Sequence, residues 1–320
     1  MITTQALRDS RVEHPPLICI LGPTASGKTS NAIQLAQSID GEIVSVDSRQ
    51  IYRQMSIGTA KPTKTERAMV RHHLIDCADV DQPFSAADFQ RLADLAIQDI
   101  RQRGRSVLLV GGSGLYFRGL VDGLFRGPGA DPEVREQLRR EAEKHGNQRL
   151  HRRLEVVDAK TAAKVHPNDL VRVVRALEVY QLSGQPISAF QQTWQCPARY
   201  PFQAYAIEMD RQILYQRIEA RVDQMIAQGW IDEVRTLLAG GYSRFASAMR
   251  SFGYKQLIDY LDQEIDLDFA VQRIKQQTRR YAKRQLTWFR REPRIKWVGR
   301  DQLLSGESIR LYSHSCKSAN

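Results

Sequence analysis

The sequence predicts an α/β fold, in which a mostly parallel sheet is flanked by helices on both faces and carries an inserted all-helical subdomain. Two observations lead to this prediction. Six short apolar runs of strand length alternate with segments of helical periodicity. In addition, more than ninety residues separate the fourth run from the fifth, far more than one crossover helix needs.

The predicted strands are LICIL (17–21), EIVSV (42–46), HHLI (72–75), VLLV (107–110), AYAIEM (204–209) and IKWV (295–298). The first run leads directly into a Gly-rich turn and a helical pattern over 28–37, which is the start of a β-loop-α unit. A longer helix is predicted after Ser85, a suitable N-cap, with Gly104 as its stop signal.

The long insertion has its own boundary signals. RGPGADP (126–132) precedes it and CPARYP (196–201) closes it. We therefore predict a helical insertion over 127–201, within a core formed by 1–126 and 202–320. Its predicted helices span 132–145, 147–156 and 169–182.

Composition narrows the class of protein. The chain is 42% hydrophobic and 26% charged, as is ordinary for a globular protein. The first sixteen residues hold no signal-peptide core, and no apolar run approaches the roughly 18 residues that span a bilayer. A cytoplasmic protein that does not enter a membrane is expected. The four cysteines lie far apart without a C-x-x-C spacing, so neither a zinc site nor a disulfide framework is predicted.

Positive charge is concentrated near the C-terminal end. The formal net charge is +11, and the segment 270–300 holds eleven Lys/Arg against one acid, Glu292. Such a concentration of positive charge indicates a polyanionic partner, with nucleic acid as the first candidate and an acidic membrane as the second. The alternative is a helix face that is only solvated. The residues predicted to share one helix face are Arg273, Gln277, Arg280, Arg284 and Arg291, while Val271, Ile274, Tyr281 and Phe289 lie largely elsewhere.

GPTASGKT (22–29) fits the P-loop pattern, and it has the preceding strand and following helix that the motif requires. The predicted diphosphate-binding residues are Gly22, Pro23, Thr24, Ala25, Ser26, Gly27, Lys28 and Thr29. The amides of 26–29 would form an anion nest at a helix N-terminus, Lys28 would neutralise phosphate oxygens, and the Thr29 hydroxyl would reach Mg²⁺. The fold is thus predicted to be P-loop NTPase-like.

The acid that a nucleotide hydrolase uses for magnesium is not evident. VLLV, the best candidate strand, runs into Gly111-Gly112-Ser113-Gly114 instead. The first carboxylate after a strand is Asp47, which the topology places at the carboxyl edge of the sheet beside the P-loop. Asp47 is well placed to meet a second substrate, with a simple loop cap as the alternative.

Nine blocks in this order resemble the bacterial tRNA dimethylallyltransferase family, also called tRNA isopentenyltransferase. They are GPTASGKT (22–29), VDSRQIYRQMSIGTAKP (46–62), HHLID (72–76), FSAADFQ (84–90), GGSGLYFRGL (111–120), HPNDLVRVVRALEVY (166–180), RIEARVDQM (217–225), RSFGYKQ (250–256) and TRRYAKRQLTWFRR (278–291). The match covers nearly the whole chain from Ile18 to about Arg291. One residue departs from the pattern, because the family usually has Thr where this chain has Ser113.

The resemblance implies that the P-loop holds the diphosphate of dimethylallyl diphosphate with Mg²⁺, bound through Thr29. It implies transfer of the prenyl group to the adenosine just 3′ of the anticodon, at its exocyclic N6 amine (tRNA position 37). In this interpretation, Asp47 is the general base that accepts the proton of the adenine amine. Ser113 and Arg221 stabilise the negative charge on the leaving diphosphate. Arg217 shares the face of Arg221 at i, i+4. The alternative for either arginine is a surface ion pair with a neighbouring acid, Glu219 or Asp223.

The partners expected from the resemblance are the anticodon stem-loop of tRNA and dimethylallyl diphosphate, bound by a monomer. The predicted tRNA-binding residues are Asp47, Ser48, Arg49, Gln50, Ser113, Arg135, Leu170, Val171, Arg172, Val173, Val174, Met249, Arg250, Ser251, Phe252, Gly253, Tyr254, Lys283, Arg284, Trp288 and Arg290. Phe252, Tyr254 and Trp288 are candidates for stacking a base that is swung out of the loop, with a place in the core as the alternative.

Two other functions remain open from the residues alone. A P-loop kinase would also place an acid after its second strand, but it leaves the basic C-terminal helix unexplained. A GTPase-like RNA-binding switch would do no chemistry on RNA. The N-K-x-D guanine signature is absent from the sequence, which argues against the switch.

Overall fold

The computed structural model describes residues 15–125, 127–192 and 198–304. The chain divides into two compact units. The smaller unit spans 122–199, and the larger comprises the chain before and after it. The sequence predicts this insertion over 127–201. In the structure, the smaller unit begins and ends a few residues earlier than predicted.

The larger unit is built on one six-stranded sheet. Its strands are β1 (Leu17–Leu21), β2 (Gly41–Val46), β3 (His72–His73), β4 (Ser106–Gly111), β5 (Phe202–Ile207) and β6 (Ile295–Val298). Their order is β3-β2-β4-β1-β5-β6, and every neighbouring pair is parallel. The predicted parallel sheet is confirmed, and its carboxyl ends lie at one edge, where ligands of such sheets bind.

The helices of the larger unit are α1 (Lys28–Ser38), α2 (Lys64–Met69), α3 (Ala86–Gln102), α4 (Gly114–Val121), α10 (Arg211–Ala227), α11 (Trp230–Ala239), α12 (Tyr254–Leu261), α13 (Leu267–Arg290) and α14 (Arg300–Leu304). Ile33 and Leu35 of α1 pack on one face of the sheet. Phe89 of α3 and Phe117 of α4 pack on the other face. Both faces are thereby removed from water, as the apolar strands require.

The ends of α3 agree with the sequence prediction. The Ser85 hydroxyl accepts the Asp88 amide at 3.1 Å, while the Asp88 carboxylate accepts the Ser85 amide at 3.0 Å. This reciprocal capping box satisfies amide groups that a helix start leaves open. Arg103 follows the last helical residue, and Gly104 then takes a φ of 71°, which permits the chain to turn away.

A second apolar core lies among the C-terminal helices of the larger unit. Met55, after β2, packs there with Trp230, Leu257 and Ile274 from three different helices. The segment following β2 is thus held against α11, α12 and α13, which places it beside the carboxyl edge of the sheet.

The smaller unit is all helical. It contains α5 (Pro132–His145), α6 (Asn147–Val157), α7 (Ala159–Ala162), α8 (Leu170–Ser183) and α9 (Ile187–Gln192). Leu138, Leu154 and Leu177 belong to its own apolar core. The Glu178 carboxylate is fully buried in this unit, where burial is tolerated because Arg135 and Arg175 donate to it.

Within the described ranges, no helix is both long enough and apolar enough to cross a membrane. Cys19 and Cys77 are free thiols, and burial raises the pKa of both. Cys196 and Cys316 lie outside the described residues.

Candidate active site

A cavity of about 310 Å³ opens at the carboxyl edge of the sheet in the larger unit. Its lining includes the P-loop residues Thr24, Ala25, Lys28 and Thr29, the 47–50 segment after β2, and side chains of α10, α11 and α13. The cavity therefore joins the two features that the sequence singled out, the Gly-rich turn and the first carboxylate after β2.

The P-loop presents unfilled hydrogen-bond donors to this cavity. Gly27 is the N-cap of α1 with a φ of 85°, and it has no side chain to cap the first turn. The amides of that turn are consequently available to an anion, in a place where the helix dipole also favours negative charge. The Thr29 hydroxyl lies at the same wall.

Lys28 adds positive charge at the base of the loop. Its Nζ donates to the Pro23 carbonyl oxygen at 3.1 Å, which folds the side chain back over the loop. Desolvation lowers the pKa of Lys28 to about 8, with Arg221 acting in the same direction and Asp47 opposing. An anion bound beside the ammonium would favour its charged form.

Asp47 lies directly after β2, and one of its oxygens is fixed. Its Oδ1 accepts the backbone N–H groups of Arg49 at 2.8 Å and Gln50 at 3.3 Å. The loop-cap interpretation is therefore correct for Oδ1, while the residue also lines the cavity. No hydrogen bond to Oδ2 comes from the described residues, so the carboxylate has both a fixed orientation and a free oxygen.

Arg221 projects from α10 into the cavity wall. Burial lowers its pKa, and the nearby Asp47 carboxylate opposes that effect. Arg217, one turn earlier, lies against the P-loop, since a Cβ on Gly27 would stand 3.4 Å from its Nη2. Both arginines are therefore placed beside the anion nest.

The predicted alternative, an ion pair of these arginines with neighbouring acids, is wrong. Glu219 pairs with Arg279, and Asp223 pairs with Lys275 at 2.6 Å. The acids of α10 thus bind cations of α13, which leaves Arg217 and Arg221 directed to the P-loop side.

Ser113 directly precedes α4 and lies next to the cavity rather than in its lining. Its amide donates to the Val46 carbonyl oxygen at 3.1 Å, immediately before Asp47. Gly111, two residues earlier, does line the cavity. The role of the Ser113 hydroxyl toward diphosphate stays a prediction.

Three groups in the cavity lining or bound to it were not identified from the sequence. The Glu233 carboxylate accepts the amides of Ser56 and Ile57, each at 2.7 Å, and the Tyr254 hydroxyl at 2.7 Å. It thereby ties the segment after β2 to α12. No local pattern marks Glu233, because its partners lie far away in the sequence.

The second such group is His72 of β3, which lines the cavity. Its Nδ1 lies 2.7 Å from the Val70 carbonyl oxygen, which can only accept a hydrogen bond, so the proton belongs on Nδ1. Nε2 is then an acceptor, and it is buried without a partner among the described residues. Burial lowers the pKa of His72, which favours this neutral form.

The third is Tyr281 of α13, which the sequence analysis placed off the cationic face of the helix and did not assign to the site. Tyr281 lines the cavity and contacts Phe252 with a ring separation of 5.1 Å, and the Arg284 guanidinium lies 5.8 Å from its ring centre.

Of the three predicted base-stacking aromatics, Phe252 lines the cavity and is only partly buried. Tyr254 is almost fully buried, with its hydroxyl bound to Glu233. Trp288 packs edge-on against Phe117 and is not part of the cavity lining. The core interpretation fits Tyr254, whereas Trp288 is half-buried and its stacking role stays a prediction.

The residues predicted to bind tRNA divide by exposure. In the larger unit, Arg49, Arg250, Lys283, Arg284 and Arg290 reach the surface or the cavity mouth, whereas Met249 is fully buried. Ser48, Gln50 and Ser251 line the cavity itself. Gly253 contacts the Trp230 ring so closely that a Cβ there would overlap it. Met249 therefore offers no side-chain contact to RNA, which corrects the prediction at that position.

In the smaller unit, the predicted RNA stretch at the start of α8 is also only partly accessible. Val171 is 81% exposed and Arg172 is exposed, but Val173 and Val174 belong to the core of the unit. The prediction for these two buried valines is thus corrected. Arg135 donates through Nε and Nη2 to the buried Glu178, so its charge is already partly used.

Five of the seven cations of α13 fall into two groups. Lys275 and Arg279 bind acids of α10, as described above. Arg280, Lys283 and Arg284 are exposed, and none of them pairs with an acid in the described part of the chain. Of the five residues predicted to share a cationic face, Arg280 and Arg284 thus carry charge that no acid among the described residues neutralises, and Arg284 also lines the cavity.

A parallel sheet that carries a P-loop, with the Asp47 carboxylate in the lining of the same cavity, is a P-loop NTPase-like fold. The IPP transferase family model matches residues 50–292. The chain belongs to the IPP transferase family, as the ordered motifs predict.

Relatives of similar length agree. The chain is 51% identical over 288 residues to the tRNA dimethylallyltransferase of Geobacter metallireducens, covering 89% of this chain and 93% of that protein. The crystal structure of the tRNA isopentenylpyrophosphate transferase from Bacillus halodurans matches with a TM-score of 0.68 and 41% identity, covering 91% of this chain and 94% of that one. A eukaryotic dimethylallyltransferase acting on tRNA matches with a TM-score of 0.71 and 26% identity, over 94% of this chain and 77% of that one. The predicted enzyme class, a prenyltransferase, is confirmed.

Proposed function

We propose that this protein transfers the dimethylallyl group of dimethylallyl diphosphate to the N6 amine of the adenosine 3′ of the anticodon, tRNA position 37, and releases diphosphate. The single observation that carries the proposal is the cavity. One wall has amides, Lys28 and Arg221, all suited to a diphosphate, and the other has the free oxygen of Asp47. Donor and acceptor would meet between them.

The P-loop wall stabilises the leaving group. As the allylic C–O bond breaks, its electron pair stays on the departing diphosphate, where negative charge grows. Lys28, Arg217, Arg221 and the first-turn amides of α1 surround that charge. Donors that are already oriented act most strongly in such a desolvated site.

The Asp47 wall prepares the nucleophile. The adenine N6 amine is a poor nucleophile because its lone pair is delocalised into the ring. As N6 forms its bond to the allylic carbon, it must lose a proton, and the Asp47 carboxylate takes it. The two amides on Oδ1 hold the carboxylate, so that Oδ2 keeps one direction.

The target base must leave its stack to reach this wall. The Phe252 and Tyr281 rings offer an aromatic surface at the cavity, with Arg284 beside them. Stacking on aromatic and guanidinium planes is the usual way in which proteins hold unstacked RNA bases. Phosphate groups of the anticodon stem-loop would lie along the exposed cations of α13.

Magnesium is the proposed cofactor, and the residues present fit it in a limited way. No cluster of three or more acidic, His or Cys side chains suited to a metal occurs among the described residues. The Thr29 hydroxyl, at the cavity wall, is the protein ligand proposed for the ion. Mg²⁺ commonly keeps waters and phosphate oxygens as its other ligands, so this donor set is sufficient. When bound, the ion would neutralise charge on the diphosphate.

In the helical insertion, taken by itself, the exposed Val171 and Arg172 are proposed tRNA contacts. A protein that modifies tRNA is expected to act as a monomer in the cytoplasm.

One assay tests the proposal against its alternatives. Purified protein and Mg²⁺ are incubated with unmodified tRNA and either prenyl-labelled dimethylallyl diphosphate or γ-labelled ATP. We expect prenyl label in the tRNA, at the adenosine 3′ of the anticodon after nuclease digestion. Label transferred only from ATP would indicate a kinase, and tRNA binding without either transfer would indicate a non-catalytic RNA-binding protein.

A further inference from the structure

Gln285 lies in the C-terminal part of the basic helix α13, yet it is only 6% exposed. It is flanked by the exposed Arg284 and the half-buried Leu286. A buried amide costs free energy unless its donor and acceptor are both satisfied. The partners of Gln285 therefore reveal why a polar residue is placed there.

Gln285 joins two loops at the carboxyl edge of the sheet. Its Oε1 accepts the backbone N–H of Thr24 in the P-loop at 2.9 Å, and its Nε2 donates to the Gly112 carbonyl oxygen at 2.8 Å. These partners fix the orientation of the amide, because N–H can only donate and C=O can only accept. Gly112 allows the approach, since a Cβ there would overlap the Gln285 side chain.

The P-loop needs such support. Ala25 has a φ of 63°, in the left-handed region that a residue with a side chain seldom occupies. Its methyl group is buried in a small apolar cluster with Ile218 of α10 and Ala282 of α13. The strained turn is therefore held from one side by this packing and from the other by the Gln285 bond to Thr24.

We propose that Gln285 is a positioning residue for the donor diphosphate: it anchors the start of the P-loop through Thr24 and fixes the loop to the turn after β4. This inference rests on the proposed function, in which the P-loop holds a diphosphate. Gln285 acts through backbone groups and does not touch the reacting atoms. It also ties the diphosphate cradle to the same helix whose exposed face carries the unpaired cations.

The test compares Gln285→Leu, of similar size but without either hydrogen bond, with Gln272→Leu on the same helix. Gln272 is exposed and makes no hydrogen bond to a described residue. Binding of inorganic pyrophosphate with Mg²⁺ to the full chain is measured by calorimetry, and KM and kcat are measured for the prenyl donor. We expect Gln285→Leu to weaken pyrophosphate binding and raise the donor KM by about tenfold or more, with tRNA affinity within about twofold of the parent. Gln272→Leu should change neither pyrophosphate binding nor the donor KM.

Hydrogen exchange separates positioning from general destabilisation. The Thr24 amide should exchange faster in Gln285→Leu, while amides of β1 and β4 keep their protection. If Gln285→Leu does not fold, Gln285→Glu replaces it: one oxygen still accepts from Thr24, but the other opposes the Gly112 carbonyl, so weaker pyrophosphate binding is again expected.

Parent-like pyrophosphate affinity and donor KM in a folded variant would overturn the positioning role while leaving the proposed function intact. A parent protein that binds no pyrophosphate and no prenyl donor would overturn both.

Discussion

The two edges of the sheet hold their carboxylates in opposite ways. At the amino edge, Glu42 of β2 is buried with 1% of its side chain exposed, and it receives Arg103 through two guanidinium nitrogens and His73 at 2.6 Å. At the carboxyl edge of the same strand, Asp47 receives only two backbone amides on one oxygen. The first carboxylate is saturated, and the second keeps an oxygen for a ligand.

This difference separates a structural acid from a reactive one. The arginine and histidine partners lower the pKa of Glu42 to about 2, although burial acts in the opposite direction. Asp47 instead shares its surroundings with Lys28 and Arg221, which lie across an open cavity and whose own pKa values are lowered by burial. The open cavity beside Asp47, rather than charge alone, distinguishes Asp47 from Glu42.

The largest effect is expected for Asp47→Ala. Loss of a general base reduces kcat by about 10²–10⁴-fold, because the amine proton then has no positioned acceptor. Binding of tRNA should stay within a few-fold of the parent, since phosphate contacts supply most of the affinity. Single-turnover prenyl transfer and filter binding measure the two quantities. Asp79→Ala, which breaks an exposed pair with Arg53, is the control and should be active. Equal loss of turnover and tRNA binding in Asp47→Ala would contradict the base assignment.

The next largest effect is expected for Glu42→Ala, in the free energy of unfolding. Removing one partner of a buried ion pair costs about 3–5 kcal/mol, because the arginine and histidine groups lose their counter-charge. Because the folded-state pKa of Glu42 is lowered to about 2, its contribution is present above the ordinary pKa of 4.5 and is lost as pH falls from there towards 2. Urea unfolding at pH 7 and pH 3 should show a smaller difference between parent and variant at pH 3. A variant as stable as the parent at pH 7, or a difference that does not shrink with acid, would show that Glu42 is not structural.

The third prediction concerns pH and Lys28. Since desolvation lowers its pKa to about 8 in the free enzyme, the ammonium is charged below pH 8 and neutral above it. Affinity for inorganic pyrophosphate with Mg²⁺ should therefore fall by up to about tenfold as pH rises from 7 to 9. Lys28→Arg, which stays charged throughout this range, should flatten the profile. If the parent and Lys28→Arg lose affinity in parallel, another group controls the titration.

Much of the fold could be predicted from local sequence patterns. The features that could not be predicted depend on contacts between segments that are distant in the sequence. The six strands, the capped start of α3 and the P-loop follow from apolar runs, capping residues and glycine spacing, all of which act over a few residues. The position of Asp47 follows from strand order. Glu233, His72 and Gln285 could not be found in this way, because their partners come from segments distant in sequence or, for His72, because only the folded cavity gives its free nitrogen a meaning.

The basic helix α13 also contains both paired and unpaired charged side chains, as the two edges of the sheet do with Glu42 and Asp47. A single run of Lys and Arg looks uniform in the sequence, yet Arg279 is committed to Glu219, while Arg284 is exposed with only the Tyr281 ring beside it. The charge of Arg279 is used for packing α13 on α10, and that of Arg284 is available to RNA.

The smallest effect is therefore expected for Arg284→Ala, measured against Arg279→Ala. Loss of one phosphate contact should weaken tRNA binding several-fold at about 0.1 M salt and reduce the slope of log K against log salt by about 1. Arg279→Ala should leave that slope unchanged and instead lower the melting temperature slightly, because a partly exposed ion pair contributes at most about 1 kcal/mol. Filter binding from 0.05 to 0.3 M salt resolves a slope difference of this size. If both variants change the slope equally, the Glu219 pair does not withhold Arg279 from RNA. An unchanged slope in Arg284→Ala would mean that this face of α13 does not meet phosphate.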